Sequence, residues 1–315
     1  MVRKRRRGDD VKLCGLVNEF IWGSPKLPGF PRLSPRTTQL AVSAVPKQST
    51  GYFAQFLLKR FDLRNQLGLT WMVSVPKFPP VPRLSIIVPV GRDLVAFERT
   101  LVSVLENQPA GSEVLVPHDG SYQDPYQLEG EVRFVVADSK TLVNQVAAAA
   151  GEARGRFVHA IAEGICATSG WTDAALQKFE HFGAAVVAPV IRNARSEKVI
   201  AAGWSDGRDR LCKAACRGCD ETEANAPKLI GAYLQASFWR RDVIRSLADA
   251  FTARNPIEAS YAYEHLIRSA GWRCVLANEC DVLCDHRSLP WDRSSLGRGK
   301  RLRAIRNHFS GGGWG

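Results

Sequence analysis

The stretch SIIVPVGRDLVAFERTLVSVLENQPAGSEVLVPHDGS, residues 85–121, decides the fold class. Together with Leu84, it begins with a continuous apolar run, residues 84–90, that is rich in β-branched residues. Such a run predicts a strand buried on both faces. Apolar residues then recur at helical spacing from Leu94 to Leu105, and they mark one face of a helix. A second run, 113–121, predicts another strand that ends in a turn. This order predicts parallel strands joined by a crossover helix.

The same alternation continues through the middle of the chain. We expect strands at 132–136, 156–161, 184–190 and 271–277, and helices at 140–150, 171–179, near 240–251 and near 258–269. The pattern predicts an α/β fold with a mostly parallel sheet and helices on both faces. Ligands of such sheets bind at the carboxyl ends of the strands, so the residues after Val90, Pro117 and Ile161 are the first candidates for a site.

The charge of the chain is concentrated at its two ends. The protein has 315 residues and a formal net charge of +12. Residues 1–7 hold five basic side chains, and residues 287–315 hold six Arg and one Lys against one Asp. The body between them is close to neutral, which argues against nucleic-acid binding as the main function. We expect an irregular, Pro-rich basic N-terminal extension over 1–83 and a basic C-terminal tail over 287–315. Basic ends favour polyanions such as the anionic leaflet of a membrane, and solvated, poorly ordered tails are the alternative.

Composition further limits the class of protein. The sequence contains no apolar run long enough for a membrane-spanning helix, and the charged start is not followed by the apolar core of a signal peptide. Eight cysteines at irregular intervals are too few for a disulfide-stapled secreted scaffold. We therefore expect a cytoplasmic protein with reduced thiols and with peripheral contact at the inner face of the membrane.

Seven segments together carry a family resemblance. They are 85–121, LVNQVAAAAGEARGRFVHAIAEG (142–164), GWTDAAL (170–176), VVAPVI (186–191), AAGW (201–204), GAYLQASFWRRDV (231–243) and EHLIRSAGWRCVLA (264–277). In this order they resemble the family 2 glycosyltransferases of the GT-A fold. The resemblance covers about residues 84–286 and implies a Rossmann-like GT-A domain over that range.

The resemblance implies a nucleotide site at the ends of the first two strands. The first strand of the family ends in a proline, here Pro89, and is followed by a pair that is Gly91–Arg92 here. The second strand ends in Asp-Asp-Gly-Ser, which is His118 followed by Asp119, Gly120 and Ser121 in this chain. The resemblance implies that Asp119 contacts the nucleotide base and that Arg92 faces a phosphate, with a surface arginine as the alternative for Arg92. The alternative for Asp119 is a plain turn residue.

The family's metal site is altered in this sequence. The resemblance implies a divalent metal, Mn²⁺ or Mg²⁺, held by an Asp-x-Asp triplet, but the matching residues are Ala162–Glu163–Gly164. Glu163 is the one carboxylate left, with His159 and His286 as weak further ligands. Loss of both Asp positions puts metal-dependent transfer in doubt. A loop glutamate without a metal is the alternative for Glu163.

The resemblance also implies a catalytic base and an acceptor pocket. The family places its acidic pair where this chain has Ala259 and Ser260, so the candidate bases are the neighbouring Glu264 and Glu258. Trp239 and Arg240 match a place where family members line the acceptor pocket. Helix-surface charge is the alternative for Glu264 and Glu258. Core packing is the alternative for Trp239.

Three cysteines in a C-x3-C-x2-C spacing form a candidate structural zinc site. They are Cys212, Cys216 and Cys219, with a fourth ligand from Cys280, Cys284 or His286. Reduced thiols without a metal are the alternative.

Two hypotheses follow. The first is a glycosyltransferase that moves a sugar from a nucleotide sugar, UDP-linked, to a glycan or lipid-linked acceptor in cell-surface polysaccharide synthesis. The second is a catalytically inactive GT-A protein that binds glycans or acts as a scaffold, motivated by the lost metal residues and the displaced base.

Overall fold

The computed structural model describes residues 82–181, 183–218, 229–251, 253, 255–285, 289, 291 and 295–311. The strands in this part are β1 (Leu84–Ile87), β2 (Ser112–His118), β3 (Arg133–Val136), β4 (Phe157–Ile161), β5 (Ile165–Ala167), β6 (Val186–Asn193), β7 (Val199–Ala202), β8 (Trp204–Ser205), β9 (Lys213–Ala214), β10 (Ala236–Arg240) and β11 (Cys274–Cys284). The helices are α1 (Leu94–Glu106), α2 (Leu142–Glu152), α3 (Asp173–His181), α4 (Arg241–Ala250), α5 (Pro256–Ser269) and α6 (Leu296–Gly311).

The main sheet has nine strands and mixed direction. Its order is β3-β2-β1-β4-β10-β6-β11-β5, with β7 paired to β6. β1, β2, β3 and β4 run parallel, and so do β6 and β11. β10 is antiparallel to both β4 and β6, while β5 and β7 are antiparallel to β11 and β6. The expectation of a mostly parallel sheet is therefore corrected to a mixed one, because apolar runs report burial but not strand direction.

Helices cover both faces of the sheet, as the alternating pattern predicts. The side chains of β1 alternate between two apolar clusters: Ile86 belongs to one and Ile87 to the other. α1 and α3 pack on the face of Ile86, whereas α2 and α4 pack on the face of Ile87. α5 supplies residues to both clusters. Removal of these apolar side chains from water is the main force that holds the layers together.

The C-terminal helix α6 is an element that the sequence analysis does not anticipate. The basic tail assigned to 287–315 contains this helix of 16 residues, which packs on α5. Leu302 is buried, the ring of Phe309 stacks on His265 at 5.6 Å, and Arg301 forms an ion pair with Glu258. The helix contains three glycines and only a narrow apolar stripe, so sequence periodicity does not predict it, and contact with α5 stabilises it.

Residues 1–81, most of the expected N-terminal extension, lie outside the described part of the chain. Within the described part, none of the helices is long and apolar enough to cross a membrane.

Candidate functional site

The carboxyl ends of β1, β2 and β4 meet at one edge of the sheet, which we call the carboxyl edge. The β1–β2 ladder continues past the strand, because Val88 N donates to Leu115 O at 2.9 Å and Val90 N donates to Pro117 O at 3.0 Å. The residues that follow the three strands form this edge: 89–92, 119–121 and 162–164. The structure thus brings the candidate nucleotide-binding segments together.

Asp119 begins the turn after β2, and its side chain is ionised. Its Oδ1 accepts hydrogen bonds from Ser121 N at 3.2 Å and from Ser121 Oγ at 2.6 Å, and its Oδ2 lies 3.2 Å from Lys140 Nζ. The hydrogen bond from the Ser121 hydroxyl, with help from Lys140, lowers the pKa of Asp119 to about 2. The carboxylate keeps lone pairs for a donor that arrives from solvent, since its side chain is 19% exposed.

Lys140 is a residue of this edge that the sequence analysis missed. It lies between β3 and α2, its side chain is 74% exposed, and it also approaches Ser121 Oγ at 3.4 Å. A lone lysine in a loop carries no signal in the sequence. Only the parallel pairing of β3 with β2 places it beside Asp119. Its remaining N–H donors face solvent and suit a phosphate oxygen.

His118 is the last residue of β2 and directly precedes Asp119. Its Nδ1 accepts a hydrogen bond from Gly120 N at 3.1 Å, which assigns the ring proton to Nε2. The ring is 8% exposed and lies near Tyr122 and Phe134, both about 6.1 Å away between centroids. Gly120 has a φ of +87°, a conformation that favours glycine. His118 therefore shapes the turn that presents Asp119.

Glu163 is joined to the loop that follows β1. Its Oε2 accepts a hydrogen bond from Asp93 N at 2.9 Å, and Asp93 in turn caps α1 by accepting from Val95 N and Ala96 N at 3.1 Å. Gly91 leaves room for this contact, since a Cβ there would lie 1.8 Å from Glu163 Oε2. Glu163 thus ties the loop after β4 to the loop after β1.

The described residues do not fit the divalent metal that the fold family implies. Mn²⁺ and Mg²⁺ take several oxygen ligands, and the triplet 162–164 offers one carboxylate, which already accepts from Asp93 N. His159 is fully buried and stacks on Phe238 at 3.7 Å, and burial lowers its pKa to about 3. In the described part of the chain, no three His, Cys, Asp or Glu side chains are grouped to hold a metal. His286 lies outside that part.

Pro89 and Arg92 lie at the carboxyl edge as the sequence analysis expects. Pro89 is buried, and Arg92 is exposed in the loop before α1. Among the described residues, Arg92 has no side-chain partner. Its guanidinium is therefore available to an anion at this edge.

Glu264 lies in the middle of α5 and is 2% exposed. Burial raises its pKa to about 7, although the ion pair with Arg268, 2.9 Å from Arg268 Nε to Glu264 Oε1, acts in the opposite direction. Arg268 Nη2 also donates to Ile230 O at 3.0 Å. Glu264 packs against Gly231, where a Cβ would lie 2.9 Å from Glu264 Cγ. The pair therefore fastens the segment that precedes β10 to α5.

Glu258, Ala259 and Ser260 lie one or two turns earlier on α5. Glu258 forms an ion pair with Arg301 of α6. Ala259 is fully buried, and Ser260 Oγ accepts a hydrogen bond from Leu234 N at 2.9 Å. The described contacts of Glu258 are therefore with the C-terminal helix.

Trp239 and Arg240 lie at the opposite edge of the sheet. β10 runs antiparallel to β4, so its last residue pairs with Phe157, the first residue of β4. Trp239 is 1% exposed and donates from Nε1 to Ser237 Oγ at 2.7 Å. Arg240 donates from Nε to Ala184 O at 2.7 Å. The structure gives both side chains packing roles and does not bring them to the carboxyl edge.

The candidate zinc site is described only in part. Cys212 and Cys216 are both buried and belong to different apolar clusters, whereas Cys219 lies outside the described residues. Cys280 and Cys284 are also buried. A zinc site at these cysteines stays a prediction.

Comparisons with known proteins identify the fold. No protein-family model matches the chain, and no curated protein matches its sequence. A structure of GalNAc-T7 with UDP, GalNAc and Mn²⁺ aligns with a TM-score of 0.51 at 14% identity, over 73% of this chain and 50% of that one. The mannosyltransferase PcManGT from Pyrobaculum calidifontis, in complex with GDP-Man and Mn²⁺, aligns with a TM-score of 0.43 at 14% identity, over 82% of this chain and 70% of that one.

The chain has the mixed α/β fold of the GT-A glycosyltransferases. It spans half the length of the GalNAc-T7 chain. At this level of identity the likeness concerns the fold, and the activity has to be argued from the site.

Proposed function

We propose that this protein is a glycosyltransferase that binds a nucleotide sugar, UDP-linked, at the carboxyl edge. Its acceptor is a glycan or a lipid-linked glycan in cell-surface polysaccharide synthesis. The observation that carries the proposal is the ionised Asp119 at the carboxyl end of β2, beside Lys140, on a GT-A fold. A carboxylate here accepts from the N–H of a uracil base, and the basic side chains beside it attract the diphosphate.

The leaving diphosphate is stabilised by a side-chain cation in this proposal. Transfer of the sugar builds negative charge on the diphosphate as the glycosidic bond breaks, and that charge needs a fixed positive partner. Arg92 supplies it from the loop after β1, on the side of Asp119 toward which the diphosphate extends. The proposal gives no role to a metal ion, because the described residues do not fit one.

For the base that removes the acceptor proton we prefer Glu264 to Glu258. A carboxyl group with a pKa of about 7 can both take and release a proton near neutral pH. Each carboxylate is paired with an arginine, Glu264 with Arg268 and Glu258 with Arg301, so the pairing does not separate the two candidates. Glu264 lies directly behind Gly231 of the segment before β10.

Calorimetric titration of UDP into the purified protein tests the nucleotide site. We expect binding in EDTA, with no gain on addition of Mn²⁺. Asp119→Ala removes a charged hydrogen-bond acceptor, so we expect it to weaken UDP binding roughly 10- to 100-fold. Asp242→Ala is a matched control, because it deletes an exposed carboxylate at the start of α4, at the opposite edge of the sheet.

Three outcomes would contradict parts of the proposal. Absence of UDP binding to the wild-type protein, with or without Mn²⁺, removes the nucleotide site. If Asp119→Ala and Asp242→Ala lose the same UDP affinity, the effect is due to the change in net charge and not to a contact with Asp119. A strict requirement for Mn²⁺ means that the metal ligands lie outside the described residues.

The second candidate function is an inactive GT-A protein that binds a glycan or serves as a scaffold. The observation that favours it is the engagement of Glu163 by Asp93 N where the family has metal-binding carboxylates. Release of UDP from a UDP-sugar in the presence of an acceptor distinguishes the two functions. Tight UDP binding without any release, across a panel of sugars and acceptors, supports the second.

We also propose that α6 contacts an anionic membrane surface. Lys300 and Arg303 are exposed on this helix, and Leu296 at its start is 76% exposed. A basic residue near an anionic surface contributes about 1 kcal/mol, so Lys300→Glu with Arg303→Glu is expected to weaken binding to phosphatidylserine vesicles roughly tenfold or more. Vesicle sedimentation measures it. Arg195→Glu with Lys198→Glu, an equal reversal in the β6–β7 turn, is the control, and equal losses in both would contradict the proposal.

A further inference from the structure

The side chain of Gln235 is a buried amide that has no hydrogen-bond partner among the described residues. Its side chain is 2% exposed, and neither Nε2 nor Oε1 has a partner. Exchanging the two amide atoms does not change this, since both are unpartnered. A buried amide left in this state costs folding free energy, and such groups in native proteins call for an explanation.

The position of Gln235 is at the carboxyl edge, one strand beyond β4. β10 pairs with β4 so that Ala236 lies opposite Ile161, and Ala162 N donates to Gln235 O at 2.8 Å. Gln235 is therefore directly opposite Ala162, and opposed residues of antiparallel strands project to the same face. Ala162 offers the amide only a methyl group.

The segment that carries Gln235 is held from two sides. Trp204 N donates to Gly231 O at 2.7 Å, and Trp204 Nε1 donates to Ala232 O at 3.0 Å. On the other side, Leu234 N donates to Ser260 Oγ at 2.9 Å. The backbone that carries the Gln235 side chain is therefore fixed in position, which reduces the ordering cost when the side chain binds a ligand.

The distance along the edge matches the parts of a nucleotide sugar. The strand order β2-β1-β4-β10 separates Asp119 from Gln235 by three strand spacings, about 14 Å at about 4.8 Å each. A nucleotide sugar whose base contacts Asp119 therefore runs across the ends of β1 and β4 with its ribose and diphosphate. The sugar ring of such a ligand then lies at the end of the sheet edge formed by β10.

We infer that Gln235 binds the sugar of the donor nucleotide. The inference rests on the proposed nucleotide site. A sugar hydroxyl both donates and accepts, so a pair of hydroxyls satisfies the Oε1 acceptor and the Nε2 donors together, whereas a phosphate oxygen only accepts and leaves Oε1 unpartnered. A group with so little exposure meets a ligand at the floor of a site, where hydrogen bonds are shielded from water.

Comparison of UDP with UDP-sugars in Gln235→Leu tests the inference. We expect the affinity for the best of UDP-glucose, UDP-galactose, UDP-GlcNAc and UDP-GalNAc to fall roughly tenfold or more, since hydrogen bonds to the sugar are lost. The affinity for UDP itself stays unchanged. Thr172→Val is a matched control, because the Thr172 hydroxyl is also buried without a partner but belongs to the start of α3. It leaves both affinities unchanged.

Thermal unfolding of the ligand-free variants separates binding from a structural role. Leucine fills nearly the same volume and removes the unpartnered amide, so we expect Gln235→Leu to be at least as stable as the wild type. A lower melting temperature with unchanged affinities means that a buried water holds the amide, and it overturns the inference. UDP binding with no sugar-dependent loss in Gln235→Leu, or no tighter binding of any UDP-sugar than of UDP, also overturns it but leaves the nucleotide site intact. Failure of UDP itself to bind removes the proposed function first.

Discussion

Replacing Glu264 with glutamine is expected to stabilise the protein at alkaline pH. Glu264 is buried, and its pKa rises from 4.5 to about 7 on folding. Between these values the folded state holds a proton that the unfolded state has released, so the free energy of unfolding falls as pH rises. The loss is complete above about pH 7 and amounts to up to about 3 kcal/mol. Glutamine resembles the protonated carboxyl and avoids this loss.

The measurement is a series of urea unfolding experiments on both proteins from pH 4.5 to pH 8. We expect equal stability at the acid end and a growing advantage of Glu264→Gln toward pH 8. The difference between the two proteins is the informative quantity, because His159 acts in the opposite direction. Burial lowers the pKa of His159 to about 3, so its contribution to stability is lost as pH falls below its ordinary value of 6.5. A pH-independent difference would show that Glu264 is not a buried carboxyl with a raised pKa.

Replacing Arg133 with methionine is expected to lower the free energy of unfolding by about 3 kcal/mol, because it removes the cation that faces a buried carboxylate. Glu113 on β2 is fully buried, and its Oε2 lies 2.6 Å from Arg133 Nη1 of β3. Its Oε1 accepts from Ser85 Oγ and from Arg154 N, both at 2.6 Å. The effect lies at the lower end of the usual range, since Arg133 is 19% exposed and water partly screens the pair.

Urea unfolding of the single and double variants checks this expectation. Glu113→Gln combined with Arg133→Met leaves no buried charge, so we expect it to recover at least about 1 kcal/mol relative to Arg133→Met. Arg273→Met, at an exposed arginine, is the control and is expected to change stability by no more than about 0.5 kcal/mol. The buried-charge explanation would be refuted if the double variant lost more free energy of unfolding than the two single variants lose together. UDP affinity should be unchanged, because Arg133 begins β3 at the edge opposite Asp119.

Much of the fold can be predicted from sequence periodicity. The predicted strands at 84–90, 113–121 and 156–161 and the helices at 140–150 and near 258–269 are all present, with boundaries that differ by a few residues. These elements bury one face or both, so their apolar residues repeat with the period of the element. The turn with Asp119 was also predictable, because it follows directly on such a strand.

The elements that sequence analysis missed are short or depend on partners. β5, β7, β8 and β9 have two to four residues, too few to show a period. β10 was not predicted as a strand, and its antiparallel direction makes the sheet mixed. The placement of Trp239 and Arg240 at the wrong edge for an acceptor pocket follows from that direction. No local pattern in the sequence records it.

The sequence by itself determined the layered α/β architecture, the identity of the strand ends that form the carboxyl edge and the presence of Ala162 and Gly164 on either side of Glu163. These properties are local, since each depends on residue type and on spacing within one element. Only the tertiary structure decided that Lys140 pairs with Asp119, that Glu163 is engaged by Asp93 N, and that Gln235 is buried opposite Ala162 without a partner. Each of these contacts joins residues that are far apart in the chain or lie on separate elements, and strand order and direction, rather than sequence spacing, bring them together.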